Sequence, residues 1–182
     1  MANFARSFEV TMGHEGGYAN NPDDRGGETY KGVARKFHPQ WRGWAAVDII
    51  KAKKPLSLNA ALDADKDLQK EIRTFYKKNF WDVNRTGDIQ DQQIANQLFD
   101  FAVNSGAGMA ARILQKAAGV EVDGQVGPIT IAAVNKAKPE AFFNALIKER
   151  KAFYERIVLK DPSQRQFLAG WFKRLGKYKN QA

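Results

Sequence analysis

The sequence predicts a mainly α protein with a small irregular or β-hairpin lobe near residues 17 to 45. Apolar residues recur at intervals of three and four through most of the chain, which is the spacing of one helix face. Short clusters of Asp, Gly and Pro punctuate those stretches where helices should stop and start. Only Tyr18 to Val33 is so rich in Asn, Asp, Pro and Gly that a helix is not expected there. With 43% hydrophobic and 12% aromatic residues among 182, the chain can bury a sizeable core, as one compact domain or two small ones.

The elements follow in order. Phe4, Phe8 and Met12 mark a first helix, which Gly13, Gly16 and Gly17 end with permissive backbone. The polar loop or short hairpin follows, then a stretch with Trp41 and Trp44 and a break at Pro55. Leu68, Ile72, Phe75, Tyr76 and Phe80 mark a long amphipathic helix capped by Asp65 or Asp67. After a turn at Asn84 to Asp88, residues Ile94 to Val103 form a broadly apolar helix, the candidate for the buried centre. A helix through Ile113 and Leu114 stops at Gly119, the Asp123-Gly124 turn follows, and Gly127-Pro128 starts the next. Pro139 opens a helix carrying Phe142, Phe143, Leu146, Phe153, Tyr154 and Ile157, and Asp161-Pro162-Ser163 separates it from a last helix with Phe167, Leu168, Trp171 and Leu175. A division between domains is expected between about Asn84 and Asp91.

Composition narrows the chemistry. No run of 18 or more apolar residues occurs, and Arg6 and Glu9 interrupt the N-terminal stretch where a signal peptide needs apolar continuity, so a soluble protein made without a standard export signal is expected. The absence of cysteine removes disulfides and thiolate metal sites, and His14 and His38 are too few for an ordinary zinc site, so neither metal nor cofactor is expected. Of the net charge of +9, the segment Lys148 to Ala182 contributes +7, with 10 Lys or Arg against 3 Asp or Glu. That field favours anionic partners: nucleic acid, a membrane surface or the acidic polymers of a bacterial wall. Charge is the only support for nucleic acid, because no helix-turn-helix, zinc or RNP-like motif is present.

Two carboxylates stand out. Cleavage of a glycosidic bond needs a carboxylic acid that stays protonated near neutral pH and commonly a second carboxylate that steadies positive charge or handles water. Glu15 falls on the face of Phe4, Phe8 and Met12, where partial desolvation would raise its pKa and suit it to donate a proton. Asp24 lies among Asn20, Asn21, Asp23 and Arg25, a polar setting that keeps a carboxylate ionised; Asp23 is its rival. Either Asp can equally serve an Asx-turn.

The stretch Glu15-Gly16-Gly17-Tyr18, followed by Asn21-Pro22-Asp23-Asp24-Arg25-Gly26-Gly27-Glu28-Thr29-Tyr30-Lys31-Gly32-Val33, resembles the signature of glycoside hydrolase family 108. The resemblance implies a lysozyme-like helical fold and an N-acetylmuramidase in which the Glu of the EGGY motif, here Glu15, is catalytic. The eight residues between Glu15 and Asp24 are also similar to the spacing of acid and second carboxylate in phage-type lysozymes, which place a Thr soon afterwards. Thr29 is that candidate, though it follows Asp24 after four intervening residues where the pattern usually has five, so Tyr30 occupies the equivalent position. Tyr18 and Tyr30 flank the catalytic loop and are candidates to bind the sugar rings.

The second half resembles the peptidoglycan-binding region that commonly follows this catalytic segment, through Phe99 to Gly106, Ala110-Ala111, Leu114-Gln115 and Asp123 to Thr130. Asn104 is its candidate contact, because an amide both donates to and accepts from sugar hydroxyl and acetamido groups. The resemblance thus divides the chain into a catalytic region, residues 1 to 90, and a helical binding region, residues 91 to 182, packed as one compact unit. The expected activity is hydrolysis of the β-1,4 bond between N-acetylmuramic acid and N-acetylglucosamine by a monomer, with peptidoglycan as partner and an anionic envelope surface as a second partner for the basic C-terminus. The alternatives are a lytic transglycosylase and a non-catalytic wall-binding or secretion-assisting protein. Action in the periplasm or wall would require release by a phage lysis system or a secretion machine.

Overall fold

The computed structural model describes residues 1–12, 16–21 and 27–176. Glu15, Asp23, Asp24 and the last six residues lie outside this set. Among the described residues are nine α-helices and one three-stranded antiparallel sheet, as the mainly α reading expects. The chain forms two compact units, a smaller one of Phe8–Lys78 and a larger one of Met1–Ser7 with Asn79–Ala182. These bounds differ from a cut near residues 84 to 91.

The smaller unit holds the end of α1 (Phe4–Met12), strands β1 (Tyr18–Asn20), β2 (Glu28–Tyr30) and β3 (Val33–Ala34), and helices α2 (Gly43–Ala52), α3 (Leu58–Ala64) and α4 (Lys66–Tyr76). The sheet order is β1-β2-β3, with Tyr18 opposite Tyr30, Ala19 opposite Thr29, and Tyr30 in turn opposite Val33. Lys31 and Gly32 join β2 to β3 with φ of 43° and 79°. Two consecutive positive φ values make the tight hairpin turn whose twist matches that of its strands. Tyr30, Val33, Trp44, Val47, Leu62, Leu68, Ile72 and Tyr76 are buried and form the core. The Asp65 carboxylate accepts from the Leu68 N–H and caps α4, which continues as a π-helical segment, Lys77–Asp82.

The larger unit is built around α5 (Gln92–Ser105), in which every residue from Ile94 to Ala102 is buried. Asp91 caps it by accepting from the Gln93 and Ile94 N–H groups. Helices α6 (Ala107–Ala118), α7 (Pro128–Lys136), α8 (Pro139–Lys160) and α9 (Arg165–Gly176) surround it. Proline opens α7 and α8, and Gly119 ends α6 in the left-handed conformation, as the punctuation predicts. Phe4, Trp81 and Phe99 meet edge to face with centroids 5.6 to 5.8 Å apart. This packing ties the first residues of the chain to the larger unit.

A helix buried on all sides must satisfy its polar side chains internally. Asn96 accepts from Ser7 Oγ at 2.6 Å and from Gln92 Nε2 at 2.8 Å. Gln97 donates to the Leu175 carbonyl at 3.0 Å. Asp100, fully buried, accepts from Arg150 Nη2 at 2.8 Å and Arg174 Nε at 2.7 Å. Arg150 is itself fully buried, with further bonds to Gln97 and its guanidinium 4.6 Å from the Phe101 ring. One of the ten basic residues of the C-terminal segment is therefore a core residue and adds nothing to the surface.

Candidate functional site

The EGGY motif runs into the start of β1, and the structure explains its second glycine. A Cβ on Gly17 would collide with the Asn59 side chain, whose Oδ1 accepts the Tyr18 N–H at 2.7 Å. Gly17 thus lets α3 grip the first strand. Tyr18 is half-buried, and its hydroxyl donates to Glu28 Oε1 at 2.7 Å.

Glu28 gathers two further groups. Lys51 Nζ donates to its Oε1 at 2.6 Å, Arg35 Nε lies 2.5 Å from its Oε2, and Arg35 in turn holds Asp48 at 2.5 and 3.1 Å. The Lys51 ammonium also sits 4.8 Å from the Tyr18 ring and the Arg35 guanidinium 4.3 Å from the Trp44 ring. Burial works to raise the Glu28 pKa, but the hydrogen bonds from Lys51 and Tyr18 and the charge of Arg35 overcome it and hold the carboxyl below its ordinary value. Lys51 is correspondingly raised, chiefly by its bond to Glu28. A carboxylate held ionised in this way is a brace between the sheet and α2 and has no proton to give near neutral pH.

Tyr30 is corrected as a sugar-binding residue. It is fully buried, its hydroxyl donates to Asp63 Oδ1 at 3.1 Å and accepts from Gln69 Nε2 at 2.9 Å, and burial pushes its pKa up to about 12. A ring with no exposed face cannot stack on a saccharide. Strand alternation gives the reason: Tyr30 turns toward the core, and Thr29, one residue earlier, turns to the opposite face and is half-buried. Tyr18, paired directly with Tyr30, shares its face of the sheet, so Tyr18 and Thr29 sit on adjacent strands of the smaller unit but on opposite faces. Asn104 belongs to the larger unit, near the end of α5, exposed, with its Nδ2 donating to the Asp100 carbonyl at 2.6 Å. Glu15 and Asp24 fall outside the described residues.

Sequence reasoning passed over Glu28, Arg35, Lys51 and Asn59. Glu28 stands within the quoted motif, and a carboxylate opening a strand beside two aromatics was the one available signal. Its three partners come from β1, the residue after β3, and α2, and no periodicity links those positions. Among the described residues no helix is long and apolar enough to cross a membrane.

The sequence model of glycosyl hydrolase 108 matches residues 8–106, more than half of the chain. This protein belongs to that family. The match contains the helix end, the sheet, the Glu28 cluster and α2 to α5, so the glycosyl hydrolase 108 assignment covers the whole smaller unit and reaches the centre of the larger one. A second model, described as a predicted peptidoglycan domain, matches residues 109–176, which hold most of α6 and all of α7 to α9. The chain is also similar to a solved structure described as that of Brucella abortus SagA, with 27% identity and a TM-score of 0.68 over 98% of this chain and 92% of that one. No curated protein matches. The glycosyl hydrolase 108 chain is thus a mainly α, lysozyme-like glycoside hydrolase whose partner is peptidoglycan.

Proposed function

We propose that this glycosyl hydrolase 108 member is an N-acetylmuramidase of the lysozyme type, cleaving the β-1,4 bond between N-acetylmuramic acid and N-acetylglucosamine with Glu15 as general acid. The observation that carries the reading is that the family match over residues 8–106 contains both Glu15 and Asp24, joined to a sheet whose residues are braced by Glu28. Glu15 gives its proton to the glycosidic oxygen as the bond to the anomeric carbon breaks. Asp24 steadies the positive charge left on the ring or directs water to it, and the hydroxyl of that water ends on the anomeric carbon. Thr29, on the face of β2 opposite Tyr30, stands with Asp24 as the further catalytic candidate, Tyr18 on the other face of the sheet offers a separate sugar contact, and Asn104 offers an amide to glycan in the larger unit.

The test is mass spectrometry of purified peptidoglycan digested by the protein. Products with reducible muramic acid ends are expected. Anhydromuramic ends would replace hydrolysis by lytic transglycosylation, and intact glycan would make the protein a non-catalytic wall binder.

The enzyme acts as a monomer in the periplasm or wall, after release by a phage lysis system or a secretion machine. The exposed cations Lys148, Lys151, Arg156, Lys160, Arg165 and Lys173 hold it on anionic envelope surfaces. Sedimentation with envelope fragments should therefore weaken as salt rises.

A further inference from the structure

Within the larger unit α6 and α8 pack together and leave a groove of about 270 Å³ between them. Every charged residue that lines it is basic: Arg112 and Lys116 from α6, Arg156 and Lys160 from α8. Each pair is separated by four positions, so the cations stand one turn apart, about 6 Å, along each wall. Between the walls lie Ile113, which is buried, and Phe153 and Ile157, which are half-buried. Arg112 is steadied by donating to the Val122 carbonyl at 3.0 Å. Among the described residues Lys116, Arg156 and Lys160 have no acidic partner, and the nearby Asp161 carboxylate is taken up by Ser163 and Gln164.

Four converging cations over an apolar floor call for a ligand with several negative charges and small apolar groups. We infer that this groove binds the anionic peptide stems of peptidoglycan, separately from the site that cleaves the glycan. Such stems are short chains with free carboxylates and alanine methyl groups. In an extended chain alternate residues lie about 6.7 Å apart, close to the spacing of the cations along each wall. The carboxylates would meet the two basic walls and the methyl groups the floor. All lining residues lie within 109–176, the span matched by the predicted peptidoglycan domain, and the inference rests on peptidoglycan being the partner. A membrane surface would not need a concave site with an apolar floor, so a lipid headgroup is the less fitting occupant.

The experiment titrates the full-length protein with a synthetic tetrapeptide stem that carries no sugar, observed by backbone amide NMR. Shifts confined to residues 109–116 and 153–160 are expected. The Arg156→Glu/Lys160→Glu variant should weaken stem binding by about tenfold or more, because two attractive contacts become repulsive. Arg112→Gln/Lys116→Gln, a milder change on the opposite wall, should weaken it several-fold. All four side chains are exposed, and thermal unfolding confirms that each variant is folded. Cleavage of a stem-free glycan oligomer should be unaffected in both. The inference is overturned by unchanged stem affinity in the folded variants, by shifts located elsewhere, or by phosphatidylglycerol vesicles perturbing these residues when the stem does not. Loss of glycan cleavage in the unmodified protein would instead count against the muramidase reading and leave stem binding separately measurable.

Discussion

The substitution Asp100→Asn isolates what the buried charge cluster contributes to folding. Asparagine keeps the shape of aspartate and removes its charge, taking the Asp100 anion from both Arg150 and Arg174. Their costs differ because their environments differ. The Arg174 side chain is 27% exposed and can recover water, whereas Arg150 is 0% exposed and cannot. The penalty is then that of one unpaired buried cation, about 3–5 kcal/mol. For a chain of this size it corresponds to a fall in Tm of roughly 6–20 °C. Arg150→Met in the same chain removes the stranded cation while the methionine fills much of its volume, so the double variant should be more stable than Asp100→Asn alone by about 2 kcal/mol or more. Urea and thermal unfolding of the four proteins, followed by circular dichroism, give the complete cycle. If Asp100→Asn loses less than about 1 kcal/mol, or if Arg150→Met fails to recover any of the loss, the assignment of a mutually dependent buried pair is wrong.

Four other outcomes are expected. Glu15→Gln removes the transferable proton and should lower peptidoglycan clearing by a factor on the order of 10² or more, with stability unchanged or slightly raised; near wild-type clearing by the folded variant would remove Glu15 from the mechanism. Asp24→Asn should reduce turnover well below Asp23→Asn while both still bind glycan, and the reverse order in the same kinetic assay would transfer the second role to Asp23. Because the folded-state pKa of Glu28 lies below its ordinary 4.5, its contribution is complete above that value and is lost as pH falls through the folded one; Glu28→Gln should flatten this part of the acid unfolding profile, and an unaltered profile would deny the brace. Gly17→Ala should push Asn59 off the Tyr18 N–H and cost about 1 kcal/mol in chemical unfolding, a loss that Asn59→Ala alone should match.

The parts of the fold that the sequence made legible are those whose cause is local. Asp65 before α4, Gly119 after α6 and the prolines opening α7 and α8 act on their own neighbours, so they could be read one after another. Two helices were not anticipated. The residue preceding α2, Arg42, makes no side-chain cap, and α2 begins inside the stretch expected to be irregular. Helix α3 has its Ser57 cap but only 7 residues, too few for a period to show. Lys31 in the left-handed region was hidden for a different reason: lysine is a poor turn signal, and tertiary contacts hold it there. Of the proposed site residues, Glu15, Asp24, Tyr18 and Thr29 came from motif order and spacing. The Glu28 cluster did not, because its four side chains meet only once the hairpin and α2 are folded. Tyr30 misled because an aromatic beside a loop and an aromatic facing the core look alike until strand phase is known.

Hairpin tips are ordinarily where a chain accepts grafted loops, tags and insertions, since little depends on them. The Lys31-Gly32 tip is closed to such use. The Tyr76 hydroxyl donates to the Lys31 carbonyl at 2.8 Å, and the Lys31 ammonium reaches Gln69 at 2.9 Å and Asp63 at 2.8 Å. An inserted segment would tear the turn from α3 and α4 and free the strands to slip, turning Tyr30 outward. Display or labelling of this enzyme is better directed to the exposed bend at Lys53 and Lys54, where the backbone turns away from α2 before α3 begins.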